Sequence, residues 1–251
     1  MNSNEILAVS GLAKSYGSLR IINNLSLGIK RGERHALIGP NGAGKSTLIG
    51  LLSGNLAPTL GDIRFNGRNI IGMKPHQRTR LGIARSFQIT NIFRDASVLD
   101  NVKIAIVAHR RMLRDLLRPW SSLRELDAEA MNLVNAVGLS SSANEPADIL
   151  SYSSQRALEI AVALAADPQL LILDEPMAGM SRAETEQMMT LLRNVTIGRT
   201  LLMVEHDMNV VFNLSDRISV LVYGNILATG TPDEIRSNDA VQTAYLGSVP
   251  T

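Results

Sequence analysis

One short segment constrains the fold of this chain more than any other: residues 39–46 read GPNGAGKS. Residues 34–38, which read RHALI, predict a buried strand before it. The spacing of apolar residues in LIGLLSG predicts a helix after it that stops at Gly54. Glycines in such a loop let successive backbone N–H groups point inward, and the helix adds its positive N-terminus. The segment matches G-x-x-x-x-G-K-[ST] and predicts a phosphate-binding site, with a purely structural glycine-rich turn as the alternative.

Two side chains of this segment have distinct predicted roles. Lys45 places a positive charge near the β- and γ-phosphates of a nucleotide, and the hydroxyl of Ser46 is a ligand for Mg²⁺. The predicted ATP contacts of the loop are Gly39, Pro40, Asn41, Gly42, Ala43, Gly44, Lys45, Ser46 and Thr47.

A second chemical signal is the acidic pair in the string QLLILDEP. A strand that is almost wholly apolar is typical of a parallel sheet covered on both faces. Asp174 closes this strand at the carboxyl edge of the sheet, where open α/β sheets bind ligands, and can hold Mg²⁺ directly or through water. Glu175 follows in a position to orient or deprotonate an attacking water. The alternative is a solvated strand end before the turn at Pro176.

Three further residues are weaker candidates. His206 ends the predicted strand LLMVEH at the same edge and can hydrogen-bond the γ-phosphate while neutral, although a structural role is the alternative. Gln88 ends the strand-like IARSFQ and has both a donor and an acceptor with which to sense Mg²⁺ or the water. Tyr16 offers a ring that either stacks on adenine or packs on the sheet.

The composition narrows the possible functions. With 25 Lys and Arg against 23 Asp and Glu, the formal charge of +2 gives no reason to expect nucleic acid as a partner. The chain has no cysteine, which excludes disulfides, thiolate metal sites and cysteine nucleophiles. We expect no signal peptide at MNSNEILAVSG and no membrane span, so that association with a membrane requires a partner.

The order of the patterns predicts one continuous α/β arrangement. The first third is rich in short β-like runs, and the pattern is helical from 98 to about 142, with a helix end near Gly138. Helices and buried strands then alternate, including a helix over residues 182–195. In the last predicted helix Thr231, Pro232 and Glu234 match the N-cap, N1 and N3 positions.

Several strings together resemble the ATP-binding subunits of ABC transporters: YG near the N-terminus, then GPNGAGKST, SFQ, LSYSSQR, LLILDEP and VEHDM, in that order. The strings ARSFQITNIFRDASVLDNV, DEPMAGMSRAET and GTPDEIRSNDAVQTAYLG resemble the subunits of branched-chain amino acid importers. The resemblance implies a single ABC ATP-binding domain over 5–251, an α/β P-loop NTPase with a β-rich N-terminal portion. The ATPase core would comprise about 5–90 and 166–251, and an inserted α-helical subdomain about 91–165.

The resemblance also implies roles that one chain cannot reveal. Two subunits would face each other head to tail, each holding ATP and Mg²⁺ between its phosphate loop and the partner's signature loop. Glu175 would be the general base, with His206 and Gln88 as its partners. Gln88, Asp174 and Ser46 would hold the metal, and the segment 178–181 would lie at the dimer seam. The signature loop consists of Ser151, Tyr152, Ser153, Ser154 and Gln155.

The implied partners are a second ATP-binding subunit, the same or a different chain, and transmembrane permease subunits. The middle helical block and Gln88 would couple the ATP site to the permease. The chain would then lie on the cytoplasmic face of the inner membrane and serve an extracytoplasmic substrate-binding protein indirectly. A soluble ABC ATPase without a transport role, and a degenerate ATP-binding partner in a heterodimer, are the alternatives.

The signature loop departs from the family pattern LSGGQ or LSYGQ, because Ser153 replaces its central glycine and Ser154 its glutamine. A side chain at the glycine position costs about 1 kcal/mol if φ must be positive. The serine hydroxyl can itself donate to phosphate. We therefore expect a weakened rather than a lost closure of the dimer.

The basic string HRRMLRDLLRP is open to two interpretations. Arg110, Arg111, Arg114 and Arg118 have near-helical spacing, which suits either a solvated helix face or contact with lipid head groups or a membrane subunit.

Overall fold

The structure is a computed structural model that describes residues 4–86, 92–110 and 126–244. In chain order its strands are β1 (Glu5–Tyr16), β2 (Leu19–Lys30), β3 (Arg34–Ile38), β4 (Leu60–Phe65), β5 (Arg68–Asn69), β6 (Ile83–Arg85), β7 (Leu170–Asp174), β8 (Thr200–Val204), β9 (Arg217–Val222) and β10 (Asn225–Gly230). Its α-helices are α1 (Lys45–Ser53), α2 (Pro75–Arg80), α3 (Val98–Arg110), α4 (Asp127–Ala136), α5 (Tyr152–Leu164), α6 (Arg182–Val195), α7 (Met208–Leu214), α8 (Pro232–Arg236) and α9 (Asp239–Ala244).

The strands form two sheets. Six strands lie in the order β10-β9-β3-β8-β7-β6, and all neighbours in this sheet are parallel except the β9–β10 hairpin. Four strands lie in the order β2-β1-β4-β5 and are antiparallel. The predicted α/β fold with a β-rich N-terminal portion is confirmed.

The larger sheet separates two hydrophobic cores. Alternate residues of its central strands point to opposite faces, so that Leu37 and Ile172 belong to one core and Ile38 and Leu173 to the other. The first core is closed by α1 and the four-stranded sheet, and the second by most of the helices. Both faces of the central strands are therefore covered, which explains their continuous apolar sequence.

A group of helices follows β6 in the chain. Helices α3, α4 and α5 pack against one another, and α4 and α5 also contact α6. Gly138 lies just past the end of α4, close to the predicted position. The division into a core of 5–90 and 166–251 and a subdomain of 91–165 stays a prediction.

Most of the predicted element ends are confirmed. Helix α1 ends at Ser53 with Gly54 as its C-cap, α6 has the predicted bounds, and Thr231 and Glu234 form a capping box at α8. The strand expected to end at His206 stops at Val204 instead, because Asp207 caps α7 and the chain leaves the ladder to reach it.

Some of the residues singled out in the sequence lie outside the described residues: Gln88, Arg111, Arg114 and Arg118. Arg110 is described and pairs with Glu129. None of the helices in the described ranges is long and apolar enough to cross a membrane.

Candidate nucleotide-binding site

The candidate site lies at one edge of the six-stranded sheet, where β3, β7 and β8 end. Leu37 of β3 pairs with Val204 of β8, which in turn pairs with Asp174 of β7. The backbone N–H of Glu175 donates to the carbonyl of Val204 at 2.9 Å. Because these parallel strands end at the same level, the loop after β3 and the acidic pair after β7 meet, as the sequence predicts.

The phosphate loop turns directly into α1. Gly44 is the N-cap of this helix with φ of +105°, and a Cβ there would lie 2.9 Å from the Cδ1 of Ile22 and 3.2 Å from the carbonyl oxygen of Ile21. Both the dihedral and the approach of β2 therefore require glycine. The loop is held from its other side by the N–H of Gly224, which donates to the carbonyl of Ala43 at 3.0 Å.

Lys45 is folded into this loop. Its Nζ donates to the carbonyl of Gly39 at 2.7 Å and to that of Pro40 at 3.0 Å. Burial lowers the pKa of Lys45, and the negative charges of Glu175 and then Asp174 oppose that shift. The amine is therefore within electrostatic reach of both acids. Ser46 is exposed at the first turn of α1.

Asp174 is buried, with 2% of its side chain exposed, and forms an ion pair that was not predicted. Nη2 of Arg85 donates to its Oδ2 at 3.2 Å, while Nη1 of Arg85 reaches the Oγ of Ser53 at 3.3 Å. Arg85 thus joins the end of β6 to the end of β7 and fixes the carboxylate at the edge. The sequence gives little indication of this ion pair, because Arg85 and Asp174 are 89 residues apart.

The donor set suits Mg²⁺. Within the described ranges, no group of three or more His, Cys, Asp or Glu side chains is arranged to hold a metal ion. Mg²⁺ bound through nucleotide phosphates needs only one or two protein ligands and prefers oxygen. The hydroxyl of Ser46 and the carboxylate of Asp174 are oxygen donors of this kind, and their binding of Mg²⁺ stays a prediction.

Glu175 has an unusual backbone. Its φ is +48°, a left-handed value that is uncommon and costly for a residue other than glycine. Its side chain is 33% exposed, and its Oε1 lies 3.9 Å from Nδ1 of His206, which is 61% exposed. A partly exposed carboxylate beside an exposed imidazole can accept a proton from water. The two side chains are neighbours although His206 is not part of a strand, and their catalytic roles stay predictions.

Sequence reasoning missed Glu205, which lies between β8 and His206. It is 1% exposed, and it accepts hydrogen bonds from the N–H of Met177 at 3.1 Å and the N–H of His206 at 3.2 Å. Burial raises the pKa of Glu205. The residue therefore fastens the turn after the acidic pair to the end of β8. Its signal is similar to that of Asp174: an acid that directly follows a buried strand whose residues after Thr200 are all apolar.

Tyr16 is half exposed at the end of β1, next to the turn into β2. Nζ of Lys14 lies 4.8 Å from the centre of its ring. The same β1–β2 hairpin brings Ile22 against Gly44. The ring is thus on the hairpin that flanks the phosphate loop, and its contact with adenine stays a prediction.

The signature loop forms the N-terminus of α5. Ser151 is the N-cap, and its Oγ accepts from the N–H of Ser154 at 3.2 Å. Ser153 lies inside the helix and is not among the described residues with positive φ. The backbone cost that a positive φ would bring does not arise, because this turn is an ordinary right-handed helix. The weakened closure of the dimer stays a prediction. The hydroxyl of Ser153 donates to Oε1 of Glu184 at 2.7 Å.

The remaining loop residues have internal partners. Nε2 of Gln155 donates to the carbonyl of Leu150 at 3.1 Å, and the hydroxyl of Tyr152 accepts from Nε of Arg156 at 3.1 Å. In the described residues the hydrogen bonds of the three serines lead to one another and to Glu184, not to the phosphate loop. The loop does not join the chain's own phosphate site.

A strand, a glycine-rich loop and a helix, joined at one sheet edge by Asp174 and Glu175, define a P-loop ATPase. The ABC transporter family model matches residues 22–178 of the sequence, and the model for the branched-chain amino acid ATP-binding cassette transporter matches residues 225–249. The chain therefore belongs to the ABC transporter family, and it is an ATPase of that family.

Relatives cover nearly the whole chain. The high-affinity branched-chain amino acid transport ATP-binding protein LivG of Salmonella typhimurium is 39% identical, over 98% of this chain and 99% of its own. BraF of Pseudomonas aeruginosa, named for the same transport, is 37% identical over the same shares.

Solved structures agree with the fold. A nucleotide-free ATP-binding cassette from an ABC transporter matches with a TM-score of 0.84 and 27% identity, covering 96% of this chain and 98% of its own. The dimeric ATP-binding cassette MJ0796, bound to ADP and Pi after hydrolysis, matches with a TM-score of 0.75 and 25% identity, covering 90% and 98%.

Proposed function

We propose that this chain is the ATP-binding and ATP-hydrolysing subunit of an importer for branched-chain or related amino acids. The observation that carries the proposal is that the phosphate loop after β3 and the acids Asp174 and Glu175 at the end of β7 lie at one sheet edge. The names of LivG and BraF and the match of residues 225–249 support the substrate class. Because the cassette's own site binds nucleotide, the transported molecule is recognised by other subunits.

In the proposed mechanism the phosphate loop holds ATP through its backbone N–H groups and Lys45. Ser46 and Asp174 hold Mg²⁺, with Gln88 as the further ligand predicted from the sequence; the ion neutralises phosphate charge when bound. Tyr16 stacks on the adenine ring. In the last step water attacks the γ-phosphorus, the bond from this phosphorus to the oxygen bridging the β-phosphate breaks, and ADP leaves. The proton of the attacking water needs a base.

Glu175 is the proposed base. Its carboxylate takes a proton from the attacking water, and His206, 3.9 Å away, lies where a neutral imidazole can orient the water or the γ-phosphate. The left-handed backbone of Glu175 and the hydrogen bond from its N–H to Val204 fix the direction of the side chain. Strain of this kind is often found where a side chain must be aimed at a reacting atom.

The signature loop of this chain acts on the ATP that is bound in the site of a second subunit. Two subunits pair head to tail, and Ser151 with the N-terminus of α5 reaches the γ-phosphate in the partner's site. Segment 178–181 lies at the seam. The pair binds the cytoplasmic side of the permease subunits in the inner membrane, and an extracytoplasmic binding protein delivers the amino acid to them.

The test measures ATP hydrolysis and leucine uptake by the complex reconstituted in vesicles. We expect Glu175→Gln to lower turnover by about a hundredfold or more, the usual share of a general base, while ATP still binds. The matched control is Glu186→Gln, which alters an exposed acid of α6 that pairs with Arg182.

Three results would contradict parts of the proposal. Unchanged turnover in Glu175→Gln would show that Glu175 is not the general base. Full turnover without ATP-dependent uptake would favour the soluble ABC ATPase. Turnover that survives Glu175→Gln but is lost when a second, different cassette is mutated would favour the degenerate partner of a heterodimer.

A further inference from the structure

Two helix N-termini that are far apart in sequence are joined through one carboxylate. Ser151 caps α5 and Ser181 caps α6. The Oγ of Ser153, in the first turn of α5, donates to Oε1 of Glu184, in the first turn of α6, at 2.7 Å. The partners are 31 residues apart, so this bond is a tertiary contact.

Glu184 is well suited to connect the two turns. Its Oε2 accepts from the N–H of Ser181 at 2.9 Å and from the Oγ of Ser181 at 2.7 Å, as in a capping box. Its Oε1 is thereby left for Ser153. Hydrogen bonds from Ser181 and then from Ser153 lower the pKa of Glu184, so that it is an ionised acceptor at neutral pH.

The serine network continues into the loop. The Oγ of Ser151 lies 3.1 Å from that of Ser153 and 2.9 Å from that of Ser154. The ring of Tyr152 lies beside the same segment, because a Cβ added at Gly179 would be 3.6 Å from its Cε1. The signature loop is thus bonded to Glu184 through Ser153 and lies beside Gly179.

We propose that Ser153 is a positioning residue, which fixes the signature loop against the first turn of α6 by its bond to Glu184 and so sets the half-site that this chain offers to a second subunit. The inference rests on the proposed pairing of subunits. A glycine, which is usual in the family at this position, has no hydroxyl with which to make the bond. Compared with glycine, the serine restricts the backbone but adds a side-chain hydrogen bond to Glu184.

This role differs from the two that the sequence suggested. The hydroxyl was expected to donate to a phosphate, or else the side chain to strain the backbone. In the structure the donor is engaged by Glu184 and the backbone is helical. The Ser151 cap, which the proposed function places near the γ-phosphate, is then oriented by Glu184 through Ser153.

The first test uses the full chain without nucleotide and measures amide hydrogen exchange at residues 155–157, in the first turns of α5. We expect Ser153→Ala to speed exchange by about fivefold, the effect of one lost hydrogen bond, and Ser153→Thr to restore the rate. The matched control is Ser140→Ala, which removes another serine bond to a side chain, that of Asn135, elsewhere in the helical part.

A double-mutant cycle identifies the acceptor. If the bond to Glu184 carries the effect, Ser153→Ala adds nothing to Glu184→Ala. Additive effects, or exchange in Ser153→Ala equal to that in Ser140→Ala, would overturn the proposal.

The second test measures ATP-driven association of two subunits in a Glu175→Gln background. We expect Ser153→Ala to weaken association by about fivefold, with the ATP affinity of the single subunit unchanged, and Ser153→Thr to restore it. If the parent does not associate with ATP, the proposed pairing fails, and the exchange data still decide the Ser153 bond. If the parent associates and Ser153→Ala matches Ser140→Ala, the positioning role fails while the proposed function stands.

Discussion

Replacement of Arg78 by methionine should destabilise the helix that carries the phosphate loop. Arg78 of α2 is 2% exposed, and its Nη1 donates to the carbonyls of Leu51 at 2.6 Å and Leu52 at 2.7 Å. The last four carbonyls of a helix have no partner within it. Arg78 thus caps the C-terminus of α1, where a positive charge also opposes the helix dipole.

The expected loss of unfolding free energy is about 3 kcal/mol. Two buried carbonyls without donors cost about 1–3 kcal/mol each. Removing the guanidinium offsets part of this cost, because burial is unfavourable for the cation and lowers the pKa of Arg78. Methionine fills the space of the arginine stem, so that most of the loss comes from the two carbonyls.

The assay is urea unfolding followed by circular dichroism, with the m-value as a check on two-state behaviour. Arg78→Lys keeps the charge but loses the planar fork, and should lose about half as much stability. Arg80→Met, an exposed arginine of the same helix, is the matched control and should change stability by about 0.5 kcal/mol or less. An Arg78→Met variant as stable as Arg80→Met would refute the capping argument.

Two further predictions concern the site. Because burial raises the pKa of Glu205, the stability that this group contributes is present below its unfolded pKa of about 4.3 and is lost as pH rises through the folded pKa. Unfolding at several pH values should therefore show Glu205→Gln gaining on the wild type as pH rises; a gain on acidification would contradict the shift. A Cβ at Gly39 would lie 2.1 Å from the carbonyl oxygen of Leu221, whereas one at Gly42, with φ of +79°, meets nothing within 4 Å. Thermal melts should show Gly42→Ala losing about 1–2 kcal/mol and Gly39→Ala failing to fold, and equal losses would contradict the clash.

Local signals in the sequence were sufficient for much of the fold. The bounds of β3 and α6 follow from apolar spacing, and Thr231 with Glu234 announces α8 because a capping box involves only neighbouring residues. Helix α2 was missed although Pro75 stands at its first position, since six residues give no helical period.

The residues of the site also fall into two groups, those that a sequence pattern predicts and those that it does not. Lys45 and Asp174 were predicted because each ends or begins an element with a clear pattern. The partners of Asp174 and Ser153 were not, because Arg85 and Glu184 reach them only through tertiary packing, across 89 and 31 residues. A sequence pattern identifies which groups can do chemistry, but not which neighbours will use their hydrogen-bonding capacity.

That distinction changes the meaning of the altered signature loop. Compared with the family pattern, Ser153 lacks the backbone freedom of glycine, which would cost free energy if φ at this position had to be positive. Since the turn is helical, the cost is absent, and the hydroxyl gains a partner in Glu184. The same stretch of chain, from α5 through β7 to α6, contains the acidic pair of its own site and would supply the proposed half-site for a second subunit. The bond between Ser153 and Glu184 joins the two ends of this segment, with the acidic pair between them in the sequence. We therefore expect a change of either residue to affect the pairing of two subunits more than the chemistry of a single ATP site.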